Sequence, residues 1–193
     1  DSVKIMVRDL SLLIKGDPVL YLPFNSNITD LSGYSNSTSS ENINFQTDPK
    51  GNQQLAIGFN GSSGYVSVEN ATWLNFDLSL SLSGWIYSHH DGEGEAYPVS
   101  HGNWDNRWKI SIGNELLRFT INTVDGVYDL DSKTEIELDH WYFITMVYTG
   151  TDMELYIDGQ LDAFKPASGT INSTSYNLVL GKARPDQDFH FKG

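Results

Sequence analysis

Met153-Glu154-Leu155-Tyr156-Ile157-Asp158-Gly159-Gln160-Leu161-Asp162-Ala163 is the stretch whose reading decides the fold. Two short runs flank the dipeptide Asp158-Gly159, and such a pair tolerates the positive φ angles that a tight two-residue β-turn demands. The stretch reads as a β-hairpin. Outward from it the period remains two. In Trp141 to Tyr148 every second residue shares a face, and Leu78-Ser79-Leu80-Ser81-Leu82-Ser83 sets three leucines on one side and three serines toward solvent. Trp108, Ile110 and Ile112 alternate with Lys109 and Ser111 in the same way. Val19 to Phe24, Leu55 to Phe59, Tyr65 to Val68, Leu117 to Ile121 and Asn177 to Leu180 are further strands, and Asp125-Gly126 and Thr149-Gly150 are turns. No window carries an apolar stripe of helical period, so the chain is predicted to be all-β. Asn25 to Asn44 and Ser88 to Glu95, rich in Ser, Asn, His and Gly, read as linker-like loops.

Composition narrows the function. The chain has 193 residues, 25 Asp+Glu against 12 Lys+Arg, and a formal charge of −13. Such a surface repels phosphate backbones, which argues against nucleic-acid binding. With 39% hydrophobic and 12% aromatic residues the chain can form the core of one domain. Cysteine is absent, so neither disulfides nor thiolate chemistry contributes. No apolar run reaches membrane-spanning length, and Asp1-Ser2-Val3-Lys4 does not open a signal peptide. Five Asn-X-Ser/Thr acceptors, at Asn27, Asn36, Asn60, Asn70 and Asn172, point to an extracellular or cell-surface glycoprotein, or else to Asn and Ser filling turns.

Several segments in order carry a resemblance. Val19-Leu20-Tyr21-Leu22-Pro23-Phe24-Asn25 with Asp30-Leu31-Ser32-Gly33 comes first, then Phe59-Asn60-Gly61-Ser62-Ser63-Gly64-Tyr65-Val66. Leu82-Ser83-Gly84-Trp85-Ile86-Tyr87 follows, and then His140-Trp141-Tyr142-Phe143-Ile144-Thr145-Met146-Val147-Tyr148 leading into Met153-Glu154-Leu155-Tyr156-Ile157-Asp158-Gly159. Together they resemble the laminin-G-like, concanavalin A-like lectin/glucanase superfamily over about residues 19 to 183. The resemblance implies a two-sheet antiparallel jelly-roll β-sandwich over 15–193.

In that family a closing strand follows Phe-x-Gly, which here is Phe191-Lys192-Gly193, at the end of the sequence. Asp1-Ser2-Val3-Lys4-Ile5-Met6-Val7-Arg8-Asp9-Leu10-Ser11 is similar to the closing pattern, which suggests that residues 1–14 are a displaced end strand. Val3, Ile5 and Val7 alternate with Lys4, Met6 and Arg8, and with Leu10 they form a candidate assembly strand. The segment folds back onto its own domain, enters the groove of a neighbouring copy, or belongs to a tandem array read out of register.

Catalysis finds little support. Glu135, Glu137 and Asp139 lack the Glu-x-Asp-x-x-Glu spacing that the glucanase branch uses for its nucleophile and acid, and read as a solvated acidic face. His89, His90 and His101 do not have metal-ligand spacing. The resemblance implies a possible calcium ion, with Asp1, Asp30 and Asn60 as matching positions. Asn103-Trp104-Asp105-Asn106-Arg107 concentrates sugar-binding chemistry in five residues, so Trp104, Asp105, Asn106, Arg107 and Tyr128 are the candidate glycan contacts. Trp104 is equally readable as a hairpin cap. The resulting expectation is a non-catalytic extracellular building unit of a cell-surface filament or tandem-repeat assembly, with copies of itself as partners through the N-terminal strand. Its alternative is a calcium-assisted glycan-binding adhesion module.

Overall fold

A computed structural model describes residues 5–8, 18–91, 94–183 and 189–193, the first of these segments by its backbone. Fifteen strands occur among them: β1 (Ile5–Arg8), β2 (Leu20–Leu22), β3 (Thr38–Glu41), β4 (Asn44–Gln46), β5 (Ala56–Gly58), β6 (Tyr65–Val68), β7 (Leu80–Tyr87) and β8 (Ala96–His101). β9 (Trp108–Gly113), β10 (Leu116–Thr123), β11 (Gly126–Glu135), β12 (Trp141–Tyr148), β13 (Asp152–Ile157), β14 (Gln160–Pro166) and β15 (Leu178–Leu180) complete the set. They form a six-stranded sheet in the order β14-β13-β12-β7-β1-β2, a seven-stranded sheet in the order β11-β10-β9-β8-β15-β6-β3, and the separate hairpin β4-β5. Every pairing is antiparallel. The all-β class predicted from period-two patterning and the two-sheet antiparallel β-sandwich implied by the resemblance are both observed.

Alternation builds the core. Tyr142, Ile144, Met146 and Tyr148 of β12 and Met153, Leu155 and Ile157 of β13 are buried against Ile110, Ile112, Phe119 and Ile121 of the opposing sheet. Asp158 and Gly159, at φ 51° and 79°, turn β13 into β14 with Ile157 opposite Gln160. These are the positive angles that an Asp-Gly hairpin permits.

Four details differ from the sequence reading. Leu78 precedes its strand and is exposed, so Leu80 and Leu82 alone carry the buried face there. Lys109 and Ser111 point away from the core as their alternation requires, yet both are buried. Lys109 Nζ donates to Glu95 at 2.9 Å and to Ser111 at 2.6 Å and lies over the Tyr97 ring, which Phe189 covers in a parallel stack at 5.2 Å. Thr38–Glu41 forms edge strand β3 inside the stretch read as a linker, and Asn44–Gln46, from the end of that stretch, pairs with β5. Neither segment has an apolar alternation that would have exposed it, because β3 pairs on one side only and keeps its side chains largely in water.

β1 lies inside the six-stranded sheet. Met6 pairs with Tyr21 of β2 and Ser83 of β7, and Val7 with Leu20 and Leu82. The chain's own N-terminal strand thus joins β2 to the rest of that sheet. Val3 and Leu10, the other members of the proposed assembly strand, lie outside the described residues, as does Asp1.

Candidate functional site

The Asn103 to Arg107 segment connects β8 to β9 in a compact turn. Gly102 opens it at φ 77°, and a β-carbon there would overlap the Asn106 side chain. Asn103 is fully buried, its side-chain oxygen accepts the Asp105 amide at 3.0 Å, and its carbonyl accepts the Arg107 amide at 3.1 Å. Trp104, half exposed, and Asp105 are left to face solvent.

Arg107 must be removed from the candidate glycan contacts. It is fully buried, donating to the carbonyls of Asn172 at 2.6 Å, Leu74 at 2.9 Å and Phe76 at 2.8 Å, and through Nε to His101 Nδ1 at 3.1 Å. Its guanidinium stitches two loop segments, one around Leu74 and Phe76 and one at Asn172, to the sheet, with four of its five N–H donors in these bonds. Burial lowers its pKa to about 10. The same burial, with the neighbouring Arg107 charge, drives His101 down to about 3, so the imidazole is neutral and turns Nε2–H toward Asn70 Oδ1 and the Tyr176 carbonyl. Tyr128 is not brought to Trp104 by any described contact; its hydroxyl pairs with Ser168 at 3.3 Å and its ring packs against the core.

Of the positions suggested for calcium, Asp1 lies outside the described residues, and Asp30 and Asn60 spend their side-chain oxygens on hydrogen bonds within the fold. Burial opposes the charge of Asp30, but donors from Tyr21, Asn36 and Ser32 outweigh it and hold the carboxyl below the usual range. Its two oxygens accept the amides of Tyr21, Ser32 and Asn36, the Ser32 hydroxyl and the Asn36 side-chain amide. Asn60 Oδ1 accepts the amides of Ser62, Ser63 and Gly64, closing the turn into β6. Converging hydrogens surround all three oxygens where a cation would need free lone pairs. Among the described residues no three His, Asp or Glu side chains cluster in a metal-holding arrangement.

The glycosylation acceptors separate by burial. Asn27 and Asn60 are exposed. Asn36 is buried, with Nδ2 donating to the Val19 carbonyl at 2.8 Å and to Asp30 at 2.7 Å, and its Oδ1 accepting from Trp73 Nε1. A sugar on that nitrogen is incompatible with this fold. Asn70 and Asn172 are half-buried and use their amides to hold Thr174, Asn122 and Thr123.

A different region has open polar chemistry. The β4-β5 hairpin stands beside the end of the β7-β12 pair and encloses a groove of about 590 Å³. Asp48 caps the hairpin turn. The Asn52 side chain, at 3.0 Å, and the amides of Asn52 and Lys50 donate to its carboxylate and lower its pKa. Across β4-β5, Asn44 stands opposite Gly58, where a β-carbon would overlap the Asn44 and Gln46 side chains. Glycine there makes room for both amides on the groove side.

The other wall is aromatic. Tyr87 and Trp141 are directly paired across β7 and β12 with ring centres 5.1 Å apart, and His89 meets Tyr87 edge-on at 5.2 Å while its Nδ1 bonds Asp139 at 2.5 Å. Residues 191–193 close the end, where Gly193 and Phe59 exchange backbone hydrogen bonds. The side-chain amides of Asn44 and Gln46, the Tyr87 hydroxyl and Trp141 Nε1 have no hydrogen-bond partner among the described residues. Sequence reading missed this groove because its polar wall lay in a presumed loop. The alternating Asn42-x-Asn44-x-Gln46, opposite a strand containing Gly58, was the available signal.

Two antiparallel sheets packed face to face, with loops and a side hairpin supplying the surface chemistry, define a lectin-like β-sandwich class. The chain belongs to the concanavalin A-like lectin/glucanase superfamily, whose laminin-G-like family model matches residues 60–193. No curated protein matches. Among solved structures the chain is similar to the binding domain of Paraclostridial Mosquitocidal Protein 1, with 17% identity and a TM-score of 0.69 over 99% of this chain and 46% of that one. It is also similar to the Botulinum Neurotoxin serotype G binding domain, with 16% identity and a TM-score of 0.67 over 99% of this chain and 45% of that one. The binding domain of Botulinum Neurotoxin DC in complex with SialylT gives 19% identity and a TM-score of 0.67 over 95% of this chain and 44% of that one. The chain spans less than half the length of these neighbours, and the likeness is one of fold.

Proposed function

We propose that this domain is a non-catalytic carbohydrate-binding or adhesion module of an extracellular or cell-surface protein, and that its ligand site is the β4-β5 groove. The observation that carries the reading is the juxtaposition of an aromatic wall, Tyr87 and Trp141, with the unpartnered amides of Asn44 and Gln46. Sugars present apolar ring faces and hydroxyl edges, and the groove offers a surface for each. The likeness to chains described as binding domains, one of them solved with SialylT, supports binding over catalysis. So does the state of two carboxylates at the seven-stranded sheet, Glu95 just before β8 and Asp131 in β11. Glu95 is ion-paired with Lys109 at 2.9 Å, and Asp131 with Arg118 at 2.6 Å, so neither is left poised as an acid or nucleophile. A glycan array probed with the whole domain tests the reading. Binding should be lost in Trp141→Ala and kept in Trp104→Ala; the reverse pattern moves the site to the β8-β9 turn, and an array without any bound glycan ends the proposal.

A second reading rests on the interior position of β1 between β2 and β7. Withdrawing that strand exposes two rows of backbone donors and acceptors, so a copy can receive the N-terminal strand of a neighbour in place of its own. Assembly through Ile5 and Val7 then links units head to tail. Deleting residues 1–14 should abolish concentration-dependent oligomers and leave a domain rescued by the same peptide in trans. A wild-type chain that stays monomeric at all concentrations sinks this reading.

A further inference from the structure

The groove continues inward. Ala56, Ile57, Phe59, Tyr87, Trp141 and Gly193 border both it and a narrower recess of about 80 Å³ that reaches between the sheets. Behind that shared border the recess is walled by core side chains, among them Phe24, Leu82, Val99, Ile144, Leu180 and Phe191. The volume exceeds the roughly 10–15 Å³ that admits one water, but a recess with such walls offers water few of the two to four polar partners it needs. An apolar group a few atoms long fits it better.

The geometry points to a ligand with two chemistries joined within one residue: a neutral sugar bearing a short N-acyl group, of which acetamido is the smallest. This rests on the groove being the sugar site. The pyranose lies against Trp141 and Tyr87 at the mouth, and the acyl methyl enters the recess past Ala56 and Phe59. The amide between them meets Asn44 and Gln46, whose side chains each offer a carbonyl acceptor and an NH₂ donor and so complement both ends of an acetamido group. Gly58 is what lets both amides lie at that depth. The chain's charge of −13 disfavours carboxylated or phosphorylated sugars and favours neutral ones.

Titrating the whole domain with methyl glycosides of glucose, N-acetylglucosamine and N-propanoylglucosamine, followed by ligand-observed NMR or calorimetry, tests the inference. Both N-acyl sugars should bind about ten-fold or more tighter than the glucoside, the scale on which an apolar pocket discriminates small groups. Ala56→Val, which narrows the recess mouth, should erase the preference, bringing the N-acyl sugars to the affinity of the glucoside measured on the same variant. Gln46→Leu, at an exposed position that does not threaten folding, should reduce it by removing the amide partner. Equal affinity for the three sugars, or a preference that survives both substitutions, overturns the inference while leaving the groove as a sugar site. If none of the three sugars nor any arrayed glycan binds, the functional reading itself falls.

Discussion

The β8-β9 turn and the β4-β5 groove invert each other. In sequence the turn holds Trp, Asp, Asn and Arg within five residues and invites a ligand, whereas the groove's polar wall resembles a loop. In three dimensions the turn's polar groups are consumed by the fold: Arg107 serves three carbonyls and a histidine, and Asn103 and Asn106 close the turn itself. The side-chain amides of the groove's Asn44 and Gln46 serve nothing within the described residues. Binding capacity belongs to polar groups that remain open once buried donors and acceptors have found their partners, and residue type alone does not reveal which those are.

The sharpest way to break this contrast is Arg107→Met. If the turn is scaffold, the substitution strands buried carbonyls and a histidine nitrogen and should cost about 3–5 kcal/mol of stability, visible as a lowered urea midpoint. A stable Arg107→Met protein that had lost glycan binding would restore the turn as the site.

Acid should weaken the same scaffold. His101 takes up a proton near pH 6.5 when unfolded but only near 3 when folded, so the unfolded state binds more protons between those values. Stability is then complete above about pH 6.5 and falls progressively toward pH 3. The depressed carboxyls of Asp30, Glu95 and Asp131 add to the loss once the pH falls below their ordinary range. Urea midpoints at pH 7, 5.5 and 4.5 measure the slope, and His101→Gln, which keeps an acceptor for Arg107 Nε, should flatten the upper part of it.

At the groove, Trp141→Ala should weaken sugar binding about ten-fold or more and cost about 0.5–1.5 kcal/mol of stability through the lost ring pair with Tyr87; titration beside thermal melts separates the two effects. The smallest expected effect concerns modification. Made in a glycosylating host, the folded protein should carry glycans at Asn27 and Asn60 and none at Asn36, as read by peptide mass spectrometry, with stability altered little.

Much of the fold was legible because strand burial writes itself as alternation. Tyr65–Val68 and Trp141–Tyr148 have the limits their patterns suggest, and Asp158-Gly159 turns where its residue types require. Leu78 misled, since three leucines at period two look alike although only two enter the sandwich. Lys109 and Ser111 misled in the other direction, because a polar face can be buried when Glu95, Tyr97 and Phe189 assemble over it from distant parts of the chain. For the site, Trp104 lies on the β8-β9 connection, and the burial of Arg107 depends on Leu74, Phe76 and Asn172, whose proximity no local pattern encodes.

The place of β1 has a consequence for biosynthesis. Ile5–Arg8 leaves the ribosome well before its partner Leu80–Tyr87, by several seconds at ordinary elongation rates of about 5–20 residues per second. Throughout that interval the early segment waits without its sheet, and on a crowded polysome the first suitable acceptor to appear need not be its own.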